Sequence, residues 1–214
     1  MEPRSEPFEE HTERYDRWFE EHEHAYESEV RALEELVPDG TEGVSVGVGT
    51  GRFASPLGVE TGIDPSKGML RRARGRGIQA VRGVGEALPF DSGSFDTVVM
   101  VTTVCFVDDL EASLCEAHRV LRPGGSFVAG YVDRESSLGQ RYVKGREENP
   151  FYREATFVST EELDGALTSA GFGEREYVQT LFGTPGGLAE PDEVREGYGE
   201  GSFVGVRARA ADDA

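Results

Sequence analysis

Between residues 44 and 132, short apolar runs alternate with amphipathic stretches, and that alternation carries most of the information in this chain. Residues 44–48, 59–64, 78–82, 95–101 and 126–132 read as five strands. The fourth, Val-rich and almost uninterrupted, has the composition of a strand buried on both faces. A short helix fits between the first two strands, if it tolerates Pro56 near its end. Residues 66–74 read as a helix capped by Ser66. Leu110, Leu114, Ala117 and Leu121 mark another, stopping at Arg122-Pro123-Gly124-Gly125. Strands and helices in this order predict an α/β fold: a parallel sheet with helices on both faces.

Two flanking regions differ. In the first forty residues, Tyr15, Trp18, Phe19, His22, Tyr26, Val30, Leu33 and Val37 follow 3, 4 and 7 spacing, the stripe of one long helix ending at Pro38-Asp39-Gly40. So aromatic a stripe predicts packing on the main domain, so residues 1–40 read as an N-terminal helical cover and residues 41–214 as a single domain. Residues 133–150 are polar without a clear period, and 133–158 read as a substrate-side insertion. Residues 160–170 form a helix with the cap signature Ser159, Thr160 and Glu162. Residues 176–182 and 202–207 read as two late strands.

Charge narrows the partners. The chain of 214 residues has a formal charge of −19, and Lys67 and Lys144 are its only lysines. A Lys-poor acidic surface suits a protein kept hydrated in concentrated salt, where carboxylate repulsion is screened, and predicts a halophilic source. The same charge argues against nucleic acid, whose binding needs Lys and Arg at phosphates. No apolar run is long enough for a membrane span, and Met1-Glu2-Pro3-Arg4 lacks a secretory h-region, so a cytoplasmic protein is expected. Cys105 and Cys115 have no ligand-like spacing with His, and no metal site is expected.

The candidate chemistry falls at the carboxyl ends of the strands, where parallel sheets bind ligands. Gly47-Val48-Gly49-Thr50-Gly51 follows the first strand and allows close approach of a ligand to backbone N–H groups. Asp64 ends the second strand, where a carboxylate can accept hydrogen bonds from ribose hydroxyls. Gly85-Glu86-Ala87 follows the third strand, and Thr102 and Thr103 follow the fourth. A nicotinamide cofactor would call for G-x-G-x-x-G, but the sixth position is Arg52 and the third glycine comes one residue early. The tighter loop suits an amino-acid carboxylate, and so S-adenosylmethionine.

With VGVGTGRFA, GIDPSKGML, GEALPF, SFDTVVM and HRVLRPGG in this order, residues 43–130 resemble the class I S-adenosylmethionine-dependent methyltransferases, in particular the type 11 methyltransferase domain. The resemblance implies a Rossmann-like seven-stranded sheet with the last strand antiparallel. It also implies methyl transfer from S-adenosylmethionine to a small-molecule acceptor by in-line displacement. Gly47, Gly49, Thr50 and Gly51 would line the methionine moiety and Asp64 would hold the ribose. Met69, Gly85, Glu86 and Ala87 would lie near the adenine, and Thr102 near the sulfonium.

The chain departs from the family in two places. Ser45 stands where the family has an acid that helps hold the cofactor's amino group, and Val84 replaces an acid in the third-strand motif. These departures leave open a non-catalytic, S-adenosylmethionine-binding regulatory protein; an NAD(P)-dependent oxidoreductase is the third reading. Acceptor contacts are expected from Tyr15 and Trp18 on the stripe and from Tyr131 and Tyr142 after the fifth strand, with Asp133 and Tyr152 nearby. His22 is a candidate base, because imidazole titrates near neutrality; its alternative is a packing histidine. Asp96 and His118 are expected to be structural.

Overall fold

The computed structural model describes residues 5–40 and 42–211. Residues 1–4, read above as lacking a secretory signal, lie outside them. Strands β1 (Gly43–Val46), β2 (Thr61–Asp64), β3 (Gln79–Arg82), β4 (Phe95–Val101), β5 (Leu121–Val132), β6 (Phe172–Thr180), β7 (Arg195–Glu196) and β8 (Phe203–Ala210) form one sheet. Its order is β3-β2-β1-β4-β5-β8-β6-β7. The first five strands are parallel, and β8 runs antiparallel between β5 and β6. This is the Rossmann-like methyltransferase arrangement with one additional strand. The extra β7 has two residues, both exposed, and pairs only with β6. So short and polar a strand has no hydrophobic signature.

The helices are α1 (Glu6–Glu10), α2 (Thr12–Glu21), α3 (Glu23–Glu34), α4 (Lys67–Gly75), α5 (Leu110–Val120), α6 (Ser137–Lys144) and α7 (Thr160–Ser169). Ser66 caps α4 by accepting from the Met69 N–H, and Ser159 and Glu162 make a reciprocal capping box on α7. Three expectations need correction. The single N-terminal helix is three, broken at His11 and His22, whose backbones leave the helical region. Turns replace the helix between β1 and β2, because Pro56 lacks an N–H and disfavours helical backbone at Ser55. Residues 137–144 are helical, although their polar sequence has no clear period.

The core lies on both faces of the sheet. On one face Val98, Met100, Phe127 and Ala129 meet Leu114, Leu163 and Leu167 of α5 and α7. On the other, Val99, Val101 and Val128 meet Phe19 of α2 and Ala25, Val30 and Leu33 of α3. The N-terminal helices therefore complete the second half of the core. Among the described residues, no helix is long and apolar enough to cross a membrane.

Candidate active site

The main cleft lies over the carboxyl ends of β1, β2 and β4, with the N-terminal helices as its outer wall. Gly47 begins its floor at φ +67°, and a Cβ there would come within 2.3 Å of the Thr103 side chain. Both the left-handed backbone and the contact exclude a larger residue. The Val48 N–H donates to the Ile63 carbonyl at 2.8 Å, which turns the loop over the end of β2. Gly49, at φ +54°, presents its bare face toward Tyr15, whose hydroxyl lies 3.5 Å from where a Cβ would stand.

Asp64 ties these parts together. Its two oxygens accept the N–H of Gly49 at 2.9 Å and the N–H of Ser66 at 2.8 Å. Burial pushes its carboxyl up to about 6, although the N–H groups of Ser66 and Gly49 favour the charged form. Each oxygen retains acceptor capacity, and the residue lines the cleft. Opposite, Thr102 has φ +50°, an uncommon conformation for a β-branched residue. Its N–H donates to the Gly130 carbonyl at 2.6 Å. Strain of this kind costs about 1–3 kcal/mol and is held by the surrounding structure.

Of the residues expected to hold a cofactor, Gly47, Gly49, Asp64, Met69, Gly85, Glu86 and Thr102 line this cleft, as does Tyr15. Thr50, Gly51 and Ala87 do not. The Thr50 hydroxyl donates to Asp16 at 2.8 Å, and Gly51 packs against Ala73 and Ile78. The Ala87 N–H closes a turn onto the Val84 carbonyl. Glu86 accepts the N–H groups of Asp108 and Asp109, so its carboxylate anchors the loop before α5. Val84, the apolar departure, is on the cleft wall, whereas Ser45 is buried inside β1.

A second cavity, of about 60 Å³, adjoins the first through Thr102 and Phe106. Tyr131, Tyr142, Tyr152 and Phe157 supply its aromatic wall. Tyr131 donates to Thr160, and Thr160 in turn donates to Asp133 at 2.6 Å, so Asp133 is committed to anchoring α7. Tyr142 and Tyr152 stand ring to ring at 4.6 Å. Burial raises the phenol pKa of Tyr131, Tyr142 and Tyr152, which keeps them neutral.

His22 and Trp18 line neither cavity. Their rings stack at 4.5 Å, and His22 Nδ1 lies 2.9 Å from the Trp18 carbonyl. His22 marks the break between α2 and α3 and stands outside both cavities rather than as a base at the cleft. His118 packs on Phe172, and Asp96 pairs with Arg122 at 2.8 Å.

Sequence reasoning missed the rest of the outer wall. Phe8 of α1 lines the cleft and packs on Phe106, Phe151 and Tyr15. Glu9 accepts from the Ser66 hydroxyl and the Gly68 N–H, fastening α1 to the start of α4. The Asp16 carboxylate accepts from Thr50, Arg52, Arg72 and Arg76. Only the clustering of arginines at 71–76 opposite an acidic N-terminus hinted at this contact.

Comparison with known proteins defines the class. Residues 44–129 match the family model described as a methyltransferase domain. A crystal structure from Thermotoga maritima, described as an S-adenosylmethionine-dependent methyltransferase and possible histamine N-methyltransferase, is 48% identical, with a TM-score of 0.94. It aligns over 96% of this chain and 99% of that one. An uncharacterized protein of Methanocaldococcus jannaschii is 40% identical over 94% of this chain and 97% of its own length. A demethylmenaquinone methyltransferase of Tropheryma whipplei is 39% identical over 125 residues, which is 55% of this chain and 48% of that protein. The chain belongs to the S-adenosylmethionine-dependent methyltransferases.

Proposed function

We propose that this enzyme methylates a small-molecule acceptor that occupies the aromatic cavity beyond Thr102. The observation that carries this reading is the junction of two compartments at Thr102 and Phe106. One is a cleft floored by glycine backbone and a buried carboxylate; the other is a small aromatic chamber. The description of the Thermotoga protein as a possible histamine N-methyltransferase supports it.

The cleft suits S-adenosylmethionine on its own features. Gly49 leaves a space that a Cβ would fill, and Asp64 keeps acceptor capacity beside it. In this reading Gly47 and Gly49 hold the methionine part, Asp64 the ribose hydroxyls, and Met69 with Gly85 the adenine. The bound cofactor supplies an electrophilic methyl group. The protein aligns the acceptor, which can contribute about 7–11 kcal/mol without a covalent intermediate. Tyr15 and Phe8 exclude water from the outer side. Asp16, Arg52 and Arg76 keep α2 closed over the loop.

Ser45 bears on catalysis, since it cannot supply the charge that an acid would offer the cofactor's amino group. If it leaves a binder without turnover, calorimetry will detect S-adenosylhomocysteine affinity while no acceptor gives product. Assays of S-adenosylhomocysteine release against small metabolites in potassium chloride test the enzymatic reading directly. Turnover with an acceptor supports it, and tight cofactor binding with none across the panel overturns it.

A further inference from the structure

The chamber beyond Thr102 carries no charge of its own. Five aromatic rings, three valines, Cys105 and Thr102 line it, and among the described residues no acid, lysine, arginine or histidine does. The ring centroids of Tyr142 and Tyr152 lie 4.6 Å apart, and those of Tyr152 and Phe157 lie 5.6 Å apart, so three rings form one connected face. The Tyr131 hydroxyl is occupied by Thr160. The Cys105 Sγ lies 3.6 Å from the Thr102 carbonyl, and burial pushes its thiol up to about 12. None of these groups takes a proton near neutral pH. The acids buried among the described residues are all placed elsewhere. Asp16 holds arginines, Asp64 lines the cofactor cleft and Asp133 anchors α7. Glu29 of α3 lines neither cavity, and burial pushes its carboxyl up to about 8.

Such a wall constrains the acceptor by charge and by size. On the methyl-transfer reading, S-adenosylmethionine already brings a positive charge to the junction at Thr102. An acceptor that entered as an ammonium would set a second cation beside the first, with no anion in the chamber, and an apolar site penalises both. At pH 7 an alkylamine titrating near ~10.4 is the free base in only about one molecule in 2,500. Alcohols and thiols enter neutral, but methylation obliges them to give up a proton that no chamber residue can take. Size is as restrictive. The chamber measures about 60 Å³, whereas a water molecule in the liquid occupies ~30 Å³ and a dry cavity of ~150 Å³ takes benzene. By that scale it admits about two to four non-hydrogen atoms.

We propose that the acceptor is a small, uncharged dialkyl thioether, that the product is a trialkylsulfonium ion, and that Tyr142, Tyr152 and Phe157 are the rings that meet its developing charge. The inference rests on the methyl-transfer reading and names its substrate class. A thioether is neutral at every pH of interest, has a lone pair ready to react and has no proton to lose. It therefore asks nothing of the chamber that the chamber lacks.

The step balances without a base. A lone pair on the acceptor sulfur forms the new S–C bond, the S–CH3 bond of the cofactor breaks, and its bonding pair stays on the cofactor sulfur. No proton moves, and the reacting pair carries a single positive charge throughout. That charge passes from the cofactor into the chamber. Aromatic faces attract a desolvated cation but have no such hold on a neutral thioether. The rings therefore bind the transition state better than the ground state, which is the condition for a faster reaction.

Mass spectrometry tests this on the full chain with S-adenosylmethionine and, in turn, dimethyl sulfide, ethyl methyl sulfide, dibutyl sulfide, ethanethiol, 1-propanol and propylamine. The two small sulfides are expected to yield trimethylsulfonium and ethyldimethylsulfonium, with kcat/KM at least tenfold above dibutyl sulfide and the three other acceptors. Tyr152→Leu is expected to lower kcat at least tenfold while KM for the sulfide stays within threefold, and Tyr152→Phe should restore most of the loss. Because Tyr152 lies off the cofactor cleft, both variants should bind S-adenosylhomocysteine within twofold of the wild type by calorimetry, which also checks that they fold. The proposal is overturned if the small sulfides give no sulfonium, if the thiol, alcohol or amine reacts as fast as they do, or if Tyr152→Leu keeps its kcat. Product from one of those other acceptors but none from the sulfides would sink this inference alone. If the wild type fails to bind S-adenosylhomocysteine at all, the methyl-transfer reading itself fails, which is a different result.

Discussion

The two walls of the cleft are built by different physics. The sheet-side wall, Gly47 to Gly49, Asp64 and Thr102, is set by backbone: left-handed φ angles and N–H groups that find a carbonyl or the Asp64 carboxylate. The outer wall, α1 and α2, is attached by side chains. Asp16 meets Arg52 and Arg76, each at 2.9 Å, Glu9 meets the start of α4, and Phe8 sits among aromatic rings. Backbone geometry tolerates few substitutions and responds little to solvent. Charge pairs respond to pH, and the exposed ones to salt. One wall is therefore a fixed template and the other an adjustable closure.

The largest break in that comparison should come from Gly47→Ala. A methyl group 2.3 Å from Thr103, on a backbone at φ +67°, forces the loop to move. We expect about 2–4 kcal/mol of lost stability by thermal or urea unfolding, with cofactor binding lost as well. Gly49→Ala is the control, since its Cβ meets only Tyr15 at an ordinary 3.5 Å. It should cost about 1 kcal/mol in stability while reducing S-adenosylhomocysteine affinity more than tenfold, because it fills the ligand space.

Asp64→Ala comes next. It orphans the N–H groups of Gly49 and Ser66 and removes the carboxylate beside the cleft. A loss of roughly 2–3 kcal/mol in S-adenosylhomocysteine binding, or about 30- to 150-fold in Kd, is expected by calorimetry. An unchanged Kd would show that the ribose is held elsewhere.

On the adjustable wall, Asp16→Ala leaves Arg52 and Arg76 without their shared partner, and we expect about 2–3 kcal/mol of destabilisation. Burial alone would raise the Asp16 pKa, but hydrogen bonds from Arg52, Arg76 and Thr50 outweigh it and bring the carboxyl to about 2. Because this pKa is depressed, the stability that Asp16 contributes is present above the ordinary aspartate value of 3.8 and is lost as pH falls through about 2. Glu29 runs the other way. Its raised pKa means that the protonated form fits the fold, so stability is fully present below 4.5 and declines as pH rises through about 8. Glu29→Gln should flatten that decline in a melting-temperature series from pH 4.5 to 8.5.

The smallest effect concerns salt. Potassium chloride at molar concentration screens the repulsion of a chain with charge −19 and should raise the melting temperature of the wild type. Asp16→Ala should gain as much, since a buried pair is screened far less than surface charge. A flat response would remove the basis for a salt-adapted surface.

The alternating apolar runs and the glycine, Asp64 and strand-end motifs made the parallel sheet and the sheet-side wall legible from sequence. Those features are local: a left-handed turn needs glycine, a buried strand needs Val and Ile, and a cap needs Ser66. The amphipathic stripe likewise predicted that the N-terminus packs on the domain, as Phe19 and Leu33 do. What the stripe could not carry was its interruption at His22, or that Trp18 and His22 stack on each other outside both cavities. The two-residue β7 was likewise too short to leave a pattern.

The sequence by itself determined the class of fold and the glycine loop on the cleft floor, because short-range backbone requirements select those residue types directly. Only the tertiary structure decided which acids matter. Glu29 and Asp16 resemble the other carboxylates of the first forty residues in every local respect. One becomes a buried acid held toward its neutral form and the other a clamp for Arg52 and Arg76, solely because α2 and α3 cross the sheet where they do. Burial and pairing are properties of residues distant in the chain brought together, and no window of sequence contains them.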